Sequence, residues 1–393
     1  MKKIIILPVL LLCAALVFSA DFGLLLDQKA EAGNNAFMYT PSLIPWLSLT
    51  GMQDFSLYCS GILSMEYRNL GKGNDDSNGW LTPILRPELA ILSLCYRSGS
   101  FAIEAGRIRF NDALAVTANG QFDGFRFQLG SLSISAFYTG LLSKETAKIF
   151  MTAADALSYA EAWDWDTVGK CFASKRLMAS LRWDMPLLEF HNLSFEALVQ
   201  IDLNDSEEKL HSQYGEALLE LYAVGSLGIN TGVFLETMES GTGDFAIAFG
   251  ALANLKFDVP GSLNDSLLLT AKFSSGSWND TINGFIPVSS IDQGAVFPGT
   301  VTGLALFRAG YDIRIMPSLF GEASAAYFIS TYDVPGADGK ALGGELWAAA
   351  AWQPFDDMRL NAGFGVFIPG LGNMKYNDNK VLWKLSTGLS ISL

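Results

Sequence analysis

The sequence has little cysteine, little histidine and little charge. Of 393 residues, 4 are cysteine and 2 are histidine. Cys13 lies in a leader described below, which leaves Cys59, Cys95 and Cys171. An odd number without a Cys-x-x-Cys spacing argues against a disulfide framework and a zinc site. His191 and His211 sit near the ends of extended segments, beside no nucleophile they could activate. A serine-hydrolase constellation is therefore disfavoured, and no catalytic set, metal or cofactor is expected. Charged residues are 17% of the chain, against about 25% in a typical soluble domain. Acids outnumber bases, 40 to 26, for a net charge of −14. That argues against nucleic acid as a partner, because phosphate binding needs basic patches. Beyond the leader there is no apolar run of the ~20 residues that a membrane-spanning helix needs. Half of the residues are nevertheless hydrophobic. An apolar surface without a spanning helix fits a closed barrel with lipid outside.

What the sequence does have is a secretion leader and a period of two. Lys2 and Lys3 precede an apolar stretch from Ile4 to Val17, and Ser19-Ala20 supplies small residues for cleavage before Asp21. Residues 1–20 thus read as a signal peptide and 21–393 as one outer-membrane barrel. In the last segment Val381, Trp383, Leu385, Thr387, Leu389, Ile391 and Leu393 share one face, and Lys384, Ser386, Gly388, Ser390 and Ser392 the other. Alternation of this kind marks a β-strand. Sixteen segments show it between Phe55 and Leu393, and Phe22–Ala32 with Phe37–Leu49 form a further pair, unless residues 21–53 make a plug. Pro41 and Pro45 weaken that pair, because proline cannot donate to a ladder. The expected fold is an all-β, antiparallel transmembrane β-barrel of eighteen strands, with sixteen as the alternative.

Connections alternate long and short, with all long ones on one side. Leu142 to Arg176, Gly276 to Thr302 and Asn69 to Thr82 are long; Gly130-Ser131, Gly225-Ser226 and Met316-Pro317 are tight. Barrels of the outer membrane place short turns in the periplasm, which puts both termini there. The region 143–176 is partly helical, over Glu145–Ala162, and ends in Trp163-Asp164-Trp165-Asp166. The polar face of the strands yields the pore-lining candidates Glu66, Arg68, Arg86, Glu88, Arg126, Arg182, Glu196, Asp202, Glu216 and Glu220. The rest are Glu236, Lys256, Lys272, Arg308, Asp312, Arg314, Glu322, Glu345, Arg359 and Lys384. These charges either pair along the wall or set a field across the lumen. A slight excess of acids predicts a weak cation preference.

Glu104-Ala-Gly-Arg-Ile-Arg109 with Phe122-Asp-Gly-Phe-Arg-Phe127 resembles the alginate-export family of outer-membrane porins. Gly343-Gly-Glu-Leu346 with Arg359–Gly370 is similar to that family's closing hairpin. The resemblance implies an eighteen-stranded monomeric pore. The near-balanced lumen departs from a pore for polyanionic alginate. The expected function is a passive porin in the bacterial outer membrane, passing small hydrophilic solutes or ions, with the lipid bilayer as its partner. A non-transporting surface barrel and a hydrophobic-substrate channel are the alternatives, and the polar inward face counts against the second.

Overall fold

The computed structural model describes residues 19–393, except 35, 52–53, 70–80, 161–170, 189, 206–207, 224–225, 262–263, 278–283, 334–337 and 375–378. Most of the leader, the Trp163–Asp166 motif and part of the Gly225-Ser226 turn lie outside these residues.

Eighteen strands follow one another: β1 (Ser19–Gly33), β2 (Phe37–Gly51), β3 (Phe55–Asn69), β4 (Ile84–Ser98), β5 (Phe101–Asn111) and β6 (Asn119–Leu129). Next come β7 (Leu132–Tyr138), β8 (Arg176–Leu188), β9 (His191–Asp202), β10 (Leu210–Ala223), β11 (Leu227–Ser240) and β12 (Phe245–Asp258). The last six are β13 (Ser266–Ser274), β14 (Leu304–Met316), β15 (Leu319–Ser330), β16 (Ala341–Phe355), β17 (Met358–Ile368) and β18 (Leu382–Ser392). Each pairs antiparallel with its neighbour, and β18 pairs with β1 from Ser392↔Leu25 to Lys384↔Gly33, which closes the barrel. Leu24 and Leu393 exchange backbone hydrogen bonds of 3.0 and 2.8 Å. Closure leaves the sheet without a first or last strand at an edge, as a lipid environment demands. Both ends of the described chain lie at the rim of short turns, and every long connection lies at the other rim.

The two prolines of β2 show how an imperfect strand is kept. β1 pairs with β2 without interruption, but the β2–β3 ladder skips residues 40–41 and 44–45. The missing proline N–H groups are thus turned to one neighbour only, and the opposite ladder holds the strand.

Alternation sorts the faces as expected. On β9, Phe195, Val199 and Ile201 are exposed outward, while Ser194, Glu196, Leu198, Gln200 and Asp202 are buried inward. Phe249, Phe307, Leu346 and Phe364 are each more than half exposed on the outside. A band of this size is unfavourable in water and favourable in hydrocarbon.

The inward face departs from expectation. Instead of a uniformly polar, wet interior, β8 to β12 present Met178, Leu198, Tyr214, Phe234, Met238 and Leu252 to a dry cluster. The 275–303 connection supplies Phe285 and Val288 to it, and the β7–β8 connection supplies Ile149 and Met151. The Phe285 ring packs tilted against Phe234, 4.5 Å between centroids, and edge-to-face on Tyr214 at 6.1 Å. Each fully buried large apolar side chain contributes about 1.5–3 kcal/mol. Chain that folds into a barrel needs a core of its own, and these inward apolar residues provide it.

The helix expected over Glu145–Ala162 is broken. It forms α1 (Lys144–Ala147) and α2 (Ala153–Ala160), separated by Lys148 at φ 46°. The signal is local. Thr152 Oγ1 accepts from the Asp155 N–H (3.2 Å) and Asp155 Oδ2 accepts from the Thr152 N–H (3.1 Å), a capping box that starts a second helix. Residues 161–162 lie outside the described residues.

Candidate functional site: the lumen and the segments folded into it

The β5–β6 hairpin leaves the wall part-way up. β4 pairs with β5 only as far as Leu92↔Arg107, and β7 with β6 only as far as Asp123↔Tyr138. Beyond that point β5 and β6 pair only with each other, up to Asn111↔Asn119. The bend falls at the cross-strand pair Gly106–Gly124. Gly106 has φ +123°, and a Cβ there would lie 1.9 Å from the Leu92 carbonyl oxygen. A Cβ at Gly124 would lie 2.0 Å from that of Ala136. Only glycine permits this approach.

Arg107 fixes the branch point. Its Nε and Nη2 donate to the two oxygens of Asp123, both at 2.8 Å, Nη1 to the Leu89 carbonyl (2.6 Å) and Nη2 also to the Leu141 carbonyl (2.9 Å). The planar guanidinium fork matches such a set of acceptors.

The hairpin tip then leans across the lumen to β9 and β10. Glu196 accepts from the Ala113 N–H (2.8 Å), and Glu216 from the Leu114 N–H (3.2 Å) and the Thr117 hydroxyl (2.6 Å). Asp112 holds the turn by accepting from the N–H groups of Val116, Thr117 and Ala118. Burial raises the Asp112 carboxyl above its ordinary range even though those donors oppose the shift. The 275–303 connection runs over the tip. Val288 N–H donates to the Thr117 carbonyl (2.7 Å), Ile286 N–H to Glu236 (2.7 Å), and the N–H groups of Ala295, Val296 and Phe297 to Glu345 at 2.7–2.9 Å. In the β7–β8 connection Asp155 pairs with buried Arg176, which also faces Asp202 at 3.2 Å. Burial, reinforced by the Glu145 charge, pushes the Tyr159 phenol up to about 12, so it stays a donor to Glu145 (3.1 Å).

The twenty pore-lining candidates therefore divide. Glu196, Glu216, Glu236 and Glu345 are buried and hold infolded chain, while Asp202 is buried against Arg176. Glu66 is buried with Arg86 (2.8 Å) and Arg68; Arg86 also reaches Glu145 (3.5 Å), and Glu88 accepts from Thr146 (2.9 Å). Arg126 lies 3.6 Å from Glu104, Arg182 pairs with Asp184, Lys256 with Asp258 and Lys384 with Glu31, and Glu220 accepts from Asn192. Lys272, Arg308, Arg314 and Arg359 are different. They bond neutral oxygens of Gln293, Pro317 and Asn361, and among the described residues none of the four is in an ion pair. Arg308, Asp312 and Glu322 line one lumenal cavity of 400 Å³; Asp312, Arg314, Glu322 and Arg359 line another of 670 Å³. Sequence reasoning missed Arg107, Asp112, Asp155 and Arg176, which sit in or beside connections where alternation gives no reading. It also missed Trp347, although its parity with Glu345 marks it as inward. Among the described residues no cluster of potential metal ligands occurs.

No protein-family model matches the chain, and no curated protein is similar to it in sequence. Its shape is another matter. Pseudomonas aeruginosa OpdK, solved with vanillate, superposes with a TM-score of 0.63 at 12% identity, over 95% of this chain and 98% of that one. Pseudomonas aeruginosa OccK2 (OpdF) gives 0.63 at 11% identity over 95% and 98%, and the same protein with glucuronate gives 0.62 at 11% over 95% and 96%. These neighbours share the fold, and they overturn the resemblance to alginate-export porins. The text behind that resemblance has a geometric origin: Gly106, Arg107, Asp123 and Gly124 are the residues that let a hairpin leave a barrel wall.

Proposed function

We propose that the chain is an outer-membrane channel for the passive passage of small hydrophilic solutes, with a modest preference for anions, and that residues 1–20 are its cleaved leader. The exposed apolar outer band and closed eighteen-stranded wall support a bilayer location. The fold shared with channels solved with vanillate and with glucuronate supports passage of small solutes. The carrying observation concerns charge. The acids of the lumen are largely taken up by backbone N–H groups and ion pairs, whereas Lys272, Arg308, Arg314 and Arg359 have no carboxylate partner among the described residues. Against them stand Asp312 and Glu322 on the same wall and Asp292 of the 275–303 connection, one acid fewer than the four bases. This replaces the weak cation preference expected from counting charges, because a neutralised carboxylate sets little field.

The test is the reversal potential of the purified protein in a planar bilayer under a salt gradient. A preference for chloride that weakens in Arg308→Ala and Arg314→Ala is expected, and it should fade as salt shortens the ~10 Å screening length at 0.1 M. A cation preference overturns the anion reading. Absence of any conductance overturns the channel reading and favours a surface barrel.

A further inference from the structure

Trp347 is an inward residue of β16 that no ion pair or loop anchor uses. Its neighbour Leu346 points outward and is 55% exposed. The indole lies flat on the inner face of β17. A Cβ on Gly363 would come within 2.4 Å of its Cζ2, and one on Gly365 within 2.6 Å of its Cε3. Two glycines on the same face of one strand thus form a shallow bed for the ring. The ring edge is pinned, because Nε1 donates to Glu322 Oε1 at 3.0 Å. Trp347 is partly exposed, with β17 beneath the ring and the remaining exposed part of the side chain lining the lumen.

That exposed part lies where the two lumenal cavities meet. Trp347 and Glu322 line both the cavity of 400 Å³ and that of 670 Å³. These volumes lie in the roughly 300–1,000 Å³ range of small-molecule sites. Donors and acceptors converge on it: Arg308 and Gln293 on one side, Arg359 and Asn361 on the other, with Asp312 between. A rigid, negatively faced aromatic plate ringed by both donors and acceptors matches one chemistry above others. A pyranose ring presents a face of electropositive C–H groups and an equator of hydroxyls that each donate and accept. A flat aromatic acid would use the plate and the arginines, but has no hydroxyl donors to offer Asp312 and Glu322, which a pyranose ring supplies whether or not it carries a carboxylate.

We propose that Trp347 is the stacking platform of a saccharide subsite in the lumen, taking a single pyranose ring of a sugar or sugar acid, with Glu322 as the residue that positions the indole. This rests on the channel reading above.

The experiment measures block of single-channel current by D-glucose, D-glucuronate and benzoate in a planar bilayer, for the parent and for Trp347→Ala and Trp347→Phe. Glucose and glucuronate should both interrupt the parent current. Trp347→Ala should weaken both by about fivefold, the effect of losing one good aromatic contact, and Trp347→Phe should retain most of the block. The current in salt alone should persist in all three, which separates this proposal from the channel reading. Unaltered sugar block in Trp347→Ala overturns the platform. Block by benzoate alone overturns the saccharide assignment in favour of a planar aromatic anion. Should Trp347→Ala fail to form a barrel, as judged by the heat-dependent gel shift of folded barrels, the comparison of Glu322→Ala with Glu322→Gln decides. Sugar block should weaken in Glu322→Ala and persist in Glu322→Gln, which keeps an acceptor for the Trp347 Nε1–H, and equal block in the two overturns the positioning role.

Discussion

On β9, β10 and β11 the inward carboxylates of Glu196, Glu216 and Glu236 face backbone N–H groups of chain folded into the barrel. On β14 and β17 the inward cations Arg314 and Arg359 face neutral oxygens and open lumen, while Lys272 and Arg308 reach infolded chain at one residue, Gln293. The two walls are built by the same alternation and carry similar amounts of charge. They differ in what lies over them. A carboxylate can satisfy several orphan N–H donors of a loop, and a cation cannot. Acids are therefore the main anchors for infolded chain, Lys272 and Arg308 hold it only at Gln293, and Arg314 and Arg359 are left on open lumen. A residue's sign thus says less about selectivity than its cover does.

The comparison predicts its sharpest contrast between two arginines. Arg176 is fully buried and compensates both Asp155 and Asp202. Arg176→Met should destabilise the folded protein by about 3–5 kcal/mol, because two buried carboxylates are left without a counter-charge. Arg314→Met, on the open wall, should shift stability by no more than about 0.5 kcal/mol. Urea titration of the vesicle-inserted protein reads both. Similar losses for the two would dissolve the distinction between covered and open walls.

The next contrast is between outside and inside. Phe249 is exposed outward on β12, and Asn254 lies inward on the same strand. Phe249→Arg should cost about 2–4 kcal/mol if it sits near the bilayer midplane, whereas Asn254→Arg enters a lumen that already holds arginines and should be tolerated. Folding yield into liposomes distinguishes them, and equal yields would reverse the faces.

The strands were legible because a period of two is enforced from outside. Lipid tolerates no polar residue on Phe245, Ile247, Phe249 and Ala251, so the pattern persists across β12. Strand number and the rim of the long connections follow from it. The interior was legible only in part. Its inward residues answer to loops that carry no period, so Phe234 and Met238 read as exceptions to a polar face until Phe285 is seen against them. The split between α1 and α2 was written in Thr152 and Asp155, and the bend of the hairpin in Gly106 and Gly124. Neither signal acquires meaning without the partner strands that crowd it. A short text similar to that of the alginate-export porins was for the same reason a poor guide to kinship.

The smallest of these effects, and the most specific to the covered wall, concerns Glu216. Its two oxygens take the Leu114 N–H and the Thr117 hydroxyl. In Glu216→Gln the amide oxygen keeps the Leu114 N–H, and the amide nitrogen can only donate to Thr117 Oγ1, which turns that hydroxyl from donor to acceptor. The hydroxyl hydrogen then loses its acceptor, and one buried donor left unsatisfied costs about 1–3 kcal/mol. The barrel closure itself does not depend on this contact, since β10 pairs fully with β9 and β11. The loss should therefore fall on the hairpin rather than on the wall. The expected outcome is a modest drop in the urea midpoint together with a larger or noisier single-channel conductance, as the tip between Asp112 and Ala118 loosens from β9 and β10. Glu322→Gln makes the same chemical change on the open wall, keeps an acceptor for Trp347, and should leave both readouts near the parent values. A quiet, unchanged conductance in Glu216→Gln would mean that the apolar contacts of Leu114 and Val116 hold the tip unaided, and that the carboxylate is a passenger in the anchor.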